Sequence, residues 1–256
     1  MSSQIIHTGY FGKVPNHGDF VSQGLPKSFL QPWDTWLQQA IVSSRQDLGE
    51  KEWLRYYLTS PIYRFVLSPG ICGNDSWSGV LMPSVDQVGR YYPMTLCTKN
   101  VNKTNPFYLL QENQEWFSNL EDHALGCLED DFNLDKLSQM LNDASIPPNI
   151  NLTENDTVVE QTAFENTSHA YFHPLNSLDS LNSILPNFVD LILKEHCFAY
   201  SVWWTKGSEH VLPTLLICEG LPPFCGIPAM FDGDWKKWGW GDNNNYSFPY
   251  DQIARQ

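Results

Sequence analysis

Residue types that nucleophilic catalysis requires occur in two short segments of the sequence. Ser84 and Asp86 lie two positions apart, while His17 and Asp19 lie near the amino terminus. A serine hydroxyl becomes a nucleophile when a histidine accepts its proton and a carboxylate orients that histidine. If the fold brought the two segments together, Ser84, Asp86, His17 and Asp19 could form a hydrolase-like site.

The same residues also have a structural interpretation, which we favour. Asp86 and Arg90 are four positions apart, a spacing that suits an ion pair on a short helix. Asp19 and Asp34 are of the residue type that caps turns and helix starts. Paired aspartate and arginine side chains are more often structural than catalytic, so the sequence favours a structural role for this cluster.

The remaining polar motifs predict neither a cofactor site nor a metal site. The glycine-lysine segment at 9–13 lacks the four residues between glycines, and the Ser or Thr after lysine, of a phosphate-binding loop. His169 and His173 have the spacing of two ligands on a helix, but no glutamate lies between them and a proline follows. The Asp-Gly-Asp at 232–234 is typical of a turn, since a calcium site needs more oxygen ligands.

Apolar periodicity predicts the helices that must position these residues. A helix is predicted from Pro26 to Gly49, because Phe29, Trp33 and Trp36 recur with the period of one buried face. Further helices are predicted around residues 53–57 and over 109–132, 134–141 and 178–192. The tryptophans of the first two helices are expected to pack in the core.

Short apolar runs between glycine and proline turns predict five strands. They cover residues 62–67, 77–82, 92–98, 197–205 and 211–218. The residues between the last two runs are typical of a hairpin, which favours antiparallel pairing. We therefore predict an α/β fold with a central mixed, largely antiparallel sheet and helices packed on both faces, a three-layer sandwich.

The chain is predicted to form a single α/β domain over residues 1–242. Residues 145–168 contain two prolines and no Lys or Arg, which predicts a long loop within that domain, and 243–256 are predicted to be a carboxyl-terminal tail. No apolar run is long enough to span a bilayer, and the start lacks the pattern of a secretory signal. We therefore expect a cytoplasmic protein without membrane insertion, whose six cysteines are reduced and mostly buried.

The net charge of −14 is concentrated in the middle of the chain. Residues 104–193 hold fifteen acidic residues and one basic residue, Lys136, whereas the remainder is balanced. Such a field repels nucleic acid and would steer a basic protein surface toward it. Nucleic acid is therefore not expected as a partner, although a charged surface that only maintains solubility is the simpler interpretation.

Several segments resemble the TagF family of type VI secretion accessory proteins. The segment Gly9-Tyr-Phe-Gly-Lys-Val-Pro-Asn-His-Gly-Asp-Phe-Val21 is similar to that family's G-x-x-G-K-x-P-x-x-G-D-F opening. Five further blocks follow in the family's order, at residues 32–37, 57–65, 69–73, 77–86 and 88–94. Beyond residue 98 the resemblance is weaker, and is carried by 203–208 and 220–222.

This resemblance implies a repressor that acts on type VI secretion after translation, is not an enzyme and needs no cofactor. The implied partner is a cytoplasmic scaffold protein with a forkhead-associated domain, and the cytoplasmic face of a membrane-core subunit is a second possible partner. We expect the partner-binding residues in the glycine-rich opening and the 85–91 loop, because polar loop residues there exceed what a core requires. They are Gly12, Lys13, Asp19, Phe20, Asp86, Arg90 and Tyr91.

Three questions stay open from the sequence. The protein could instead be a structural component required for secretion, or a hydrolase that uses Ser84, Asp86 and His17. The aromatic segment with Trp235, Trp238 and Trp240 is equally compatible with core packing and with an interface.

Overall fold

The chain forms a layered α/β fold, described here from a computed structural model for residues 8–100, 105–143, 160–163, 169–172 and 181–241. The strands are β1 (Gly9–Gly12), β2 (Val21–Gln23), β3 (Tyr63–Leu67), β4 (Trp77–Met82), β5 (Met94–Lys99), β6 (Glu160–Ala163), β7 (His169–Phe172), β8 (Tyr200–Thr205) and β9 (Thr214–Glu219). The helices are α1 (Lys27–Leu48), α2 (Glu50–Leu58), α3 (Pro106–Glu112), α4 (Gln114–Gly126), α5 (Leu134–Asp143), α6 (Leu181–His196) and α7 (Ile227–Asp232). No described helix is both long and apolar enough to cross a membrane.

Seven strands form one sheet in the order β2-β1-β5-β4-β3-β8-β9, and β6 pairs separately with β7. Every pairing between the described strands is antiparallel, so the sheet is not mixed as the sequence analysis expected. Short connections between β3, β4 and β5, and between β8 and β9, require this arrangement. The long segment between β5 and β8 brings the chain back so that β8 runs antiparallel to β3.

One face of the sheet carries an aromatic core under α1. Phe29, Trp33 and Trp36 are buried, as the helical period predicted. The Trp33 ring lies parallel to Trp203 of β8, with 6.0 Å between ring centroids, and Phe65 of β3 lies 4.9 Å from Trp33. Stacked and tilted rings of this kind add to the stabilisation that burial alone provides.

The opposite face of the sheet packs against α4 and α5. Val66, Val80 and Leu96 point to this side and belong to the same buried cluster as Phe117 of α4. Phe117 meets Trp204 of β8 edge to face at a centroid distance of 4.6 Å. Helices therefore cover both faces, which confirms the predicted α/β layers.

The first two predicted helices end close to where the sequence placed their ends. α1 begins directly after Pro26, whose fixed φ suits a helix start, and ends at Gly49 with φ of 76°. α2 stops at Leu58, before Pro61. All six cysteines are free, and four of them are buried.

Other element predictions were wrong. The helix predicted over 109–132 is two helices that meet at Asn113. The glycine-rich opening, for which no element was predicted, forms strands β1 and β2. The predicted loop 145–168 contains β6, whose backbone pairs with β7. Strands of four residues cannot be recognised from composition, because their stability comes from pairing with another strand rather than from an apolar run. The rest of that loop and the predicted tail 243–256 lie outside the described residues.

A buried ion pair connects the sheet to α4. The side chain of Arg64, in β3, is 1% exposed, and its Nε donates to Glu121 Oε1 at 2.6 Å. Lys206 contacts the other carboxylate oxygen at 2.7 Å. Burial alone would raise the pKa of Glu121, but the hydrogen bonds and charges of Arg64 and Lys206 lower it below its usual value. Glu121 is therefore ionised in the folded protein at neutral pH.

We expect Glu121→Gln to lower the free energy of unfolding by about 3 to 5 kcal/mol, because Arg64 would keep its buried charge without a counter-ion. Urea denaturation measures this loss. The matched control is Lys99→Met, which breaks the 2.8 Å pair between Lys99 and the half-exposed Asp75. That change should cost about 1 kcal/mol or less, and equal losses in the two variants would contradict the structural role of Glu121.

Candidate functional site

Strand pairing brings together two loops that are distant in sequence. β1 pairs with β5, with Tyr10 opposite Leu96, so the segment after β1 lies beside the segment that precedes β5. At this junction Gly12 has φ of 150°, and a Cβ there would lie 2.2 Å from the Pro93 carbonyl oxygen. Only glycine fits both the backbone conformation and the close approach.

A buried carboxylate holds the two loops together. Lys13 Nζ and Arg90 Nε both lie 2.6 Å from Asp86 Oδ2. The backbone N–H groups of Val88 and Arg90 donate to Asp86 Oδ1 at 3.1 and 2.8 Å. The side chain of Asp86 is fully buried and that of Lys13 is 5% exposed. The carboxylate therefore has a partner for each of its oxygens.

The environment of Asp86 fixes its charge. Burial by itself would raise the pKa of this carboxyl group, but the hydrogen bonds from Lys13, Arg90 and Val88 outweigh burial. The net effect holds the pKa of Asp86 well below its usual range. Asp86 is consequently an ionised structural anchor and cannot supply a proton near neutral pH.

Further hydrogen bonds join the exposed tips of the loops. Gln87 N donates to the His17 carbonyl oxygen at 3.0 Å, and Arg90 Nη2 donates to the carbonyl oxygen of Gly18. Val85 and Tyr91 form a β-bridge that closes the second loop. Asp86 and Arg90 thus pair as predicted, but across a tight turn and not on a helix. We call residues 16–20 and 87–90 the loop-tip face.

The loop-tip face carries apolar side chains in solvent. Phe20 is 44% exposed and Val88 is 69% exposed. The Phe20 ring stacks on Phe11 at 5.6 Å and meets Tyr92 edge to face at 4.8 Å, so its position is fixed although one side is open. The side chain of Arg90 is 58% exposed beside them. Aromatic and arginine side chains are enriched in protein interfaces.

The predicted binding residues divide into two groups. Gly12, Lys13 and Asp86 are buried, so any part they play in binding is to position the loops. Asp19, Phe20 and Arg90 have side chains at the surface. Tyr91 is half-buried, and its ring packs against Trp53 and Tyr57. All seven residues lie in the two joined loops or directly beside them, but only part of the set can touch a partner.

The alternative hydrolase residues do not form a relay. Ser84 Oγ donates a hydrogen bond to the Lys13 carbonyl oxygen at 2.7 Å, and Ser84 is 3% exposed. His17 Nδ1 lies 2.6 Å from Asn16 Oδ1. In the part of the chain that the structure describes, no hydrogen bond joins His17 to Ser84 or to Asp86. Ser84 therefore lacks the adjacent base that would activate its hydroxyl.

The other sequence candidates have structural contacts. His169 lies in β7 rather than on a helix, and His173 lies outside the described residues. The described ranges contain no cluster of three or more His, Cys, Asp or Glu side chains suited to a metal ion. Asp232 accepts hydrogen bonds from Asp234 N and Trp238 Nε1, which forms a turn.

Two tryptophans of the carboxyl-terminal aromatic segment, Trp235 and Trp240, pack against the rest of the fold. Trp235 and Trp240 meet edge to face with 5.5 Å between ring centroids, and both pack against the aromatic core. Trp240 Nε1 also donates to the Gly226 carbonyl oxygen at 2.9 Å. Packing therefore accounts for Trp235 and Trp240.

Two features of the region were missed by sequence reasoning. Val88 is an exposed apolar residue, and its place in a glycine-containing turn was the signal that could have identified it. Asn16 Nδ2 donates to the Phe132 carbonyl oxygen at 2.7 Å, which brings the turn after α4 beside the loop-tip face. That turn exposes three consecutive acids at 129–131. No local pattern could have revealed this neighbour.

We expect Asp86→Asn to lower the free energy of unfolding by about 3 to 5 kcal/mol, because Lys13 would keep a buried charge without its counter-ion. Asp19→Asn is the control, since exposed Asp19 only accepts a hydrogen bond from Phe20 N and asparagine can do the same. Thermal and urea denaturation measure both variants. Equal stability of the two would show that Asp86 does not anchor the loops.

The difference between wild type and Asp86→Asn should depend on pH. Because the pKa of Asp86 is lower in the folded than in the unfolded chain, its stabilisation is complete above the unfolded value of about 4 and is lost as pH falls below it. Denaturation midpoints should therefore differ by a constant amount between pH 5 and 7 and converge in stronger acid. A difference that grows on acidification would contradict the assignment.

Comparison with known proteins was consistent for family and fold. Residues 9–144 match the family model of the TagF N-terminal domain, which is type VI secretion system-associated. The chain is similar to PA0076 from Pseudomonas aeruginosa PAO1, whose crystal structure was determined at 2.05 Å resolution. The two share 30% sequence identity, with a TM-score of 0.71. The match covers 88% of this chain and 94% of that one. No curated protein matches.

The family match begins at Gly9, where the sequence motifs begin, and extends beyond the motif blocks, which end at residue 94, into the acidic middle of the chain. It spans more than half of the chain and includes both loops that the Lys13–Asp86 ion pair joins. The solved relative extends the likeness over the carboxyl-terminal part of the fold. This chain therefore belongs to the TagF family of type VI secretion system-associated proteins.

Proposed function

We propose that this protein represses type VI secretion after translation by binding another protein. The partner we propose is the cytoplasmic scaffold with a forkhead-associated domain, with the cytoplasmic face of a membrane-core subunit as a further contact. The protein acts in the cytoplasm and without covalent chemistry. Family membership and the geometry of the loop-tip face support this proposal.

The observation that carries the proposal is the rigid presentation of exposed apolar groups. Phe20 and Val88 are on two separate loops, and the buried Asp86 fixes those loops relative to each other. A surface used only for solubility has no need of such an anchor. Binding that orders no flexible loop retains more of its interaction energy as affinity.

Charge around the face indicates the chemistry of the partner. The acidic turn at 129–131 adjoins the loop-tip face through Asn16, and α4 and α5 add further acids. We expect the partner to offer an apolar pocket for Phe20 and Val88 with basic residues at its rim. Association should therefore slow as salt is raised, because screening weakens electrostatic steering.

The direct test measures the type VI tube protein released into the medium by a parent strain, a deletion strain and an overexpressing strain. A repressor predicts more release on deletion and less on overexpression. Loss of release on deletion would instead identify a component required for assembly and would overturn the repression proposal.

A surface variant connects this activity to the loop-tip face. We expect overexpressed Val88→Asp to lose most of the repression, because a carboxylate would be buried in the contact while folding is unaffected. Val42→Asp is the matched control, since Val42 is 55% exposed on α1. Both variants should keep the wild-type melting temperature.

Two outcomes would separate the parts of this proposal. Full repression by Val88→Asp would exclude the loop-tip face while leaving repression intact. Loss of repression in both variants, with unchanged stability, would mean that the contact surface extends well beyond these loops.

A further inference from the structure

Among the described strands, one edge of the large sheet is unpaired and apolar. β9 is the last strand of the sheet, and among the described strands it pairs only with β8. Leu215 is 54% exposed and Ile217 is 42% exposed, while Leu216 and Cys218 between and beyond them are buried. Half of the backbone groups of such a strand point outward, ready to pair with another strand.

The usual protection of edge strands is missing inside β9. Edge strands commonly carry lysine, proline or a bulge that prevents pairing with another chain. β9 contains a charge only at its last residue, Glu219, and Pro213 lies just before its start. The five positions from Thr214 to Cys218 are therefore uncharged, and alternate ones among them direct their backbone groups outward, where they can pair.

We propose that a second copy of this chain pairs its β9 antiparallel to this β9 across a two-fold axis at Leu216. In that register Leu215 of each copy lies opposite Ile217 of the other, and Thr214 lies opposite Cys218. The two exposed apolar residues of each copy then cover those of its partner. The two sheets become one continuous sheet.

Neighbouring registers are less favourable, which makes the choice specific. A shift that centres the axis on Ile217 places Leu215 opposite the charged Glu219. A shift that centres it on Leu215 places Ile217 opposite Pro213, which has no N–H to donate. The register centred on Leu216 avoids both, and it places Glu219 opposite Pro213 at the end of the ladder.

The distribution of charge favours a second copy over a basic partner at this edge. Residues 194–241 contain four lysines and five acids, whereas 104–193 carry a net charge of −14, equal to that of the whole chain. Two copies can therefore meet at β9 with little repulsion. A basic partner would be drawn toward the acidic middle of the chain instead.

Exposed apolar residues of α6 lie in the same layer as the open edge. Tyr200 donates a hydrogen bond to Asp190 of α6, which places α6 on the Tyr200 side of the sheet. Leu215 and Ile217 lie on that side too, because they are opposite Trp204 and Val202 in the β8 register. Leu185 and Ile192, 49% and 40% exposed, are seven residues apart on one side of α6. Apolar surface in this layer therefore extends beyond β9.

The test is the mass of the full-length chain in solution, measured by sedimentation over a range of concentrations. The wild type should reach twice the chain mass of 29.4 kDa. The double variant Leu215→Lys/Ile217→Lys places like charges opposite each other and should raise the dimer dissociation constant about tenfold or more. Val42→Lys is the control for an added exposed lysine and should leave the dimer unchanged.

A charge-pair variant tests the register itself. Leu215→Lys/Ile217→Glu would place each new lysine opposite the new glutamate of the other copy, so this variant should dimerise more tightly than the double lysine variant. Circular dichroism and melting temperature check that every variant folds, as expected for changes at exposed positions.

Three results would overturn the proposal. The first is a wild type that stays monomeric at every concentration. The second is a dimer that neither β9 variant weakens. The third is a monomer whose β9 variants lose a purified type VI partner, which would assign the edge to a different protein. The secretion assay is independent of this measurement, so failure here leaves the proposed repression untouched.

Discussion

Burial of the sheet on both faces is the constraint on which the rest of the structure depends. Every residue of β3 is buried, with Phe65 in the aromatic core and Val66 against α4. Arg64 shares this strand, and its charge is neutralised by the carboxylate of Glu121 in α4, while Gln114 and Ser118 of the same helix accept two further hydrogen bonds from it. The position and orientation of α4 are therefore tied to the sheet by an ion pair as well as by apolar packing.

Because helices cover both faces of the sheet, the sheet itself reaches the surface through the loops that join its strands and at its edges. The loop-tip face uses the first of these places. There the Asp86 carboxylate joins the two loops, as the Glu121 carboxylate joins α4 to the sheet. Each carboxylate pairs with two cationic side chains, which keep it ionised. The edge strand β9 is the second place, and its uncharged sequence contrasts with the acids of the middle of the chain.

Periodicity was a reliable guide where one pattern continued for several turns or for a full strand. Trp33 and Trp36 identified α1, and the runs at 77–82 and 62–67 identified central strands. Periodicity was unreliable where strand pairing or helix capping determines the secondary structure. Asn113 interrupts an apolar pattern that continues on both sides, and the strands of the opening are too short to show a period. The motif blocks identified the family independently of these errors.

The sequence by itself determined the family, the α/β layers and the residues from which the loop-tip face is built, because motifs and apolar periods are local properties of the chain. Only the tertiary structure decided what those residues do. Strand register places Lys13 against Asp86 and commits Ser84 to a backbone carbonyl, which removes it from any relay with His17. Packing likewise decided that Phe20 stays half exposed while Trp240 is packed against the core. Burial and pairing of charges depend on residues far apart in sequence, so no local pattern could specify them.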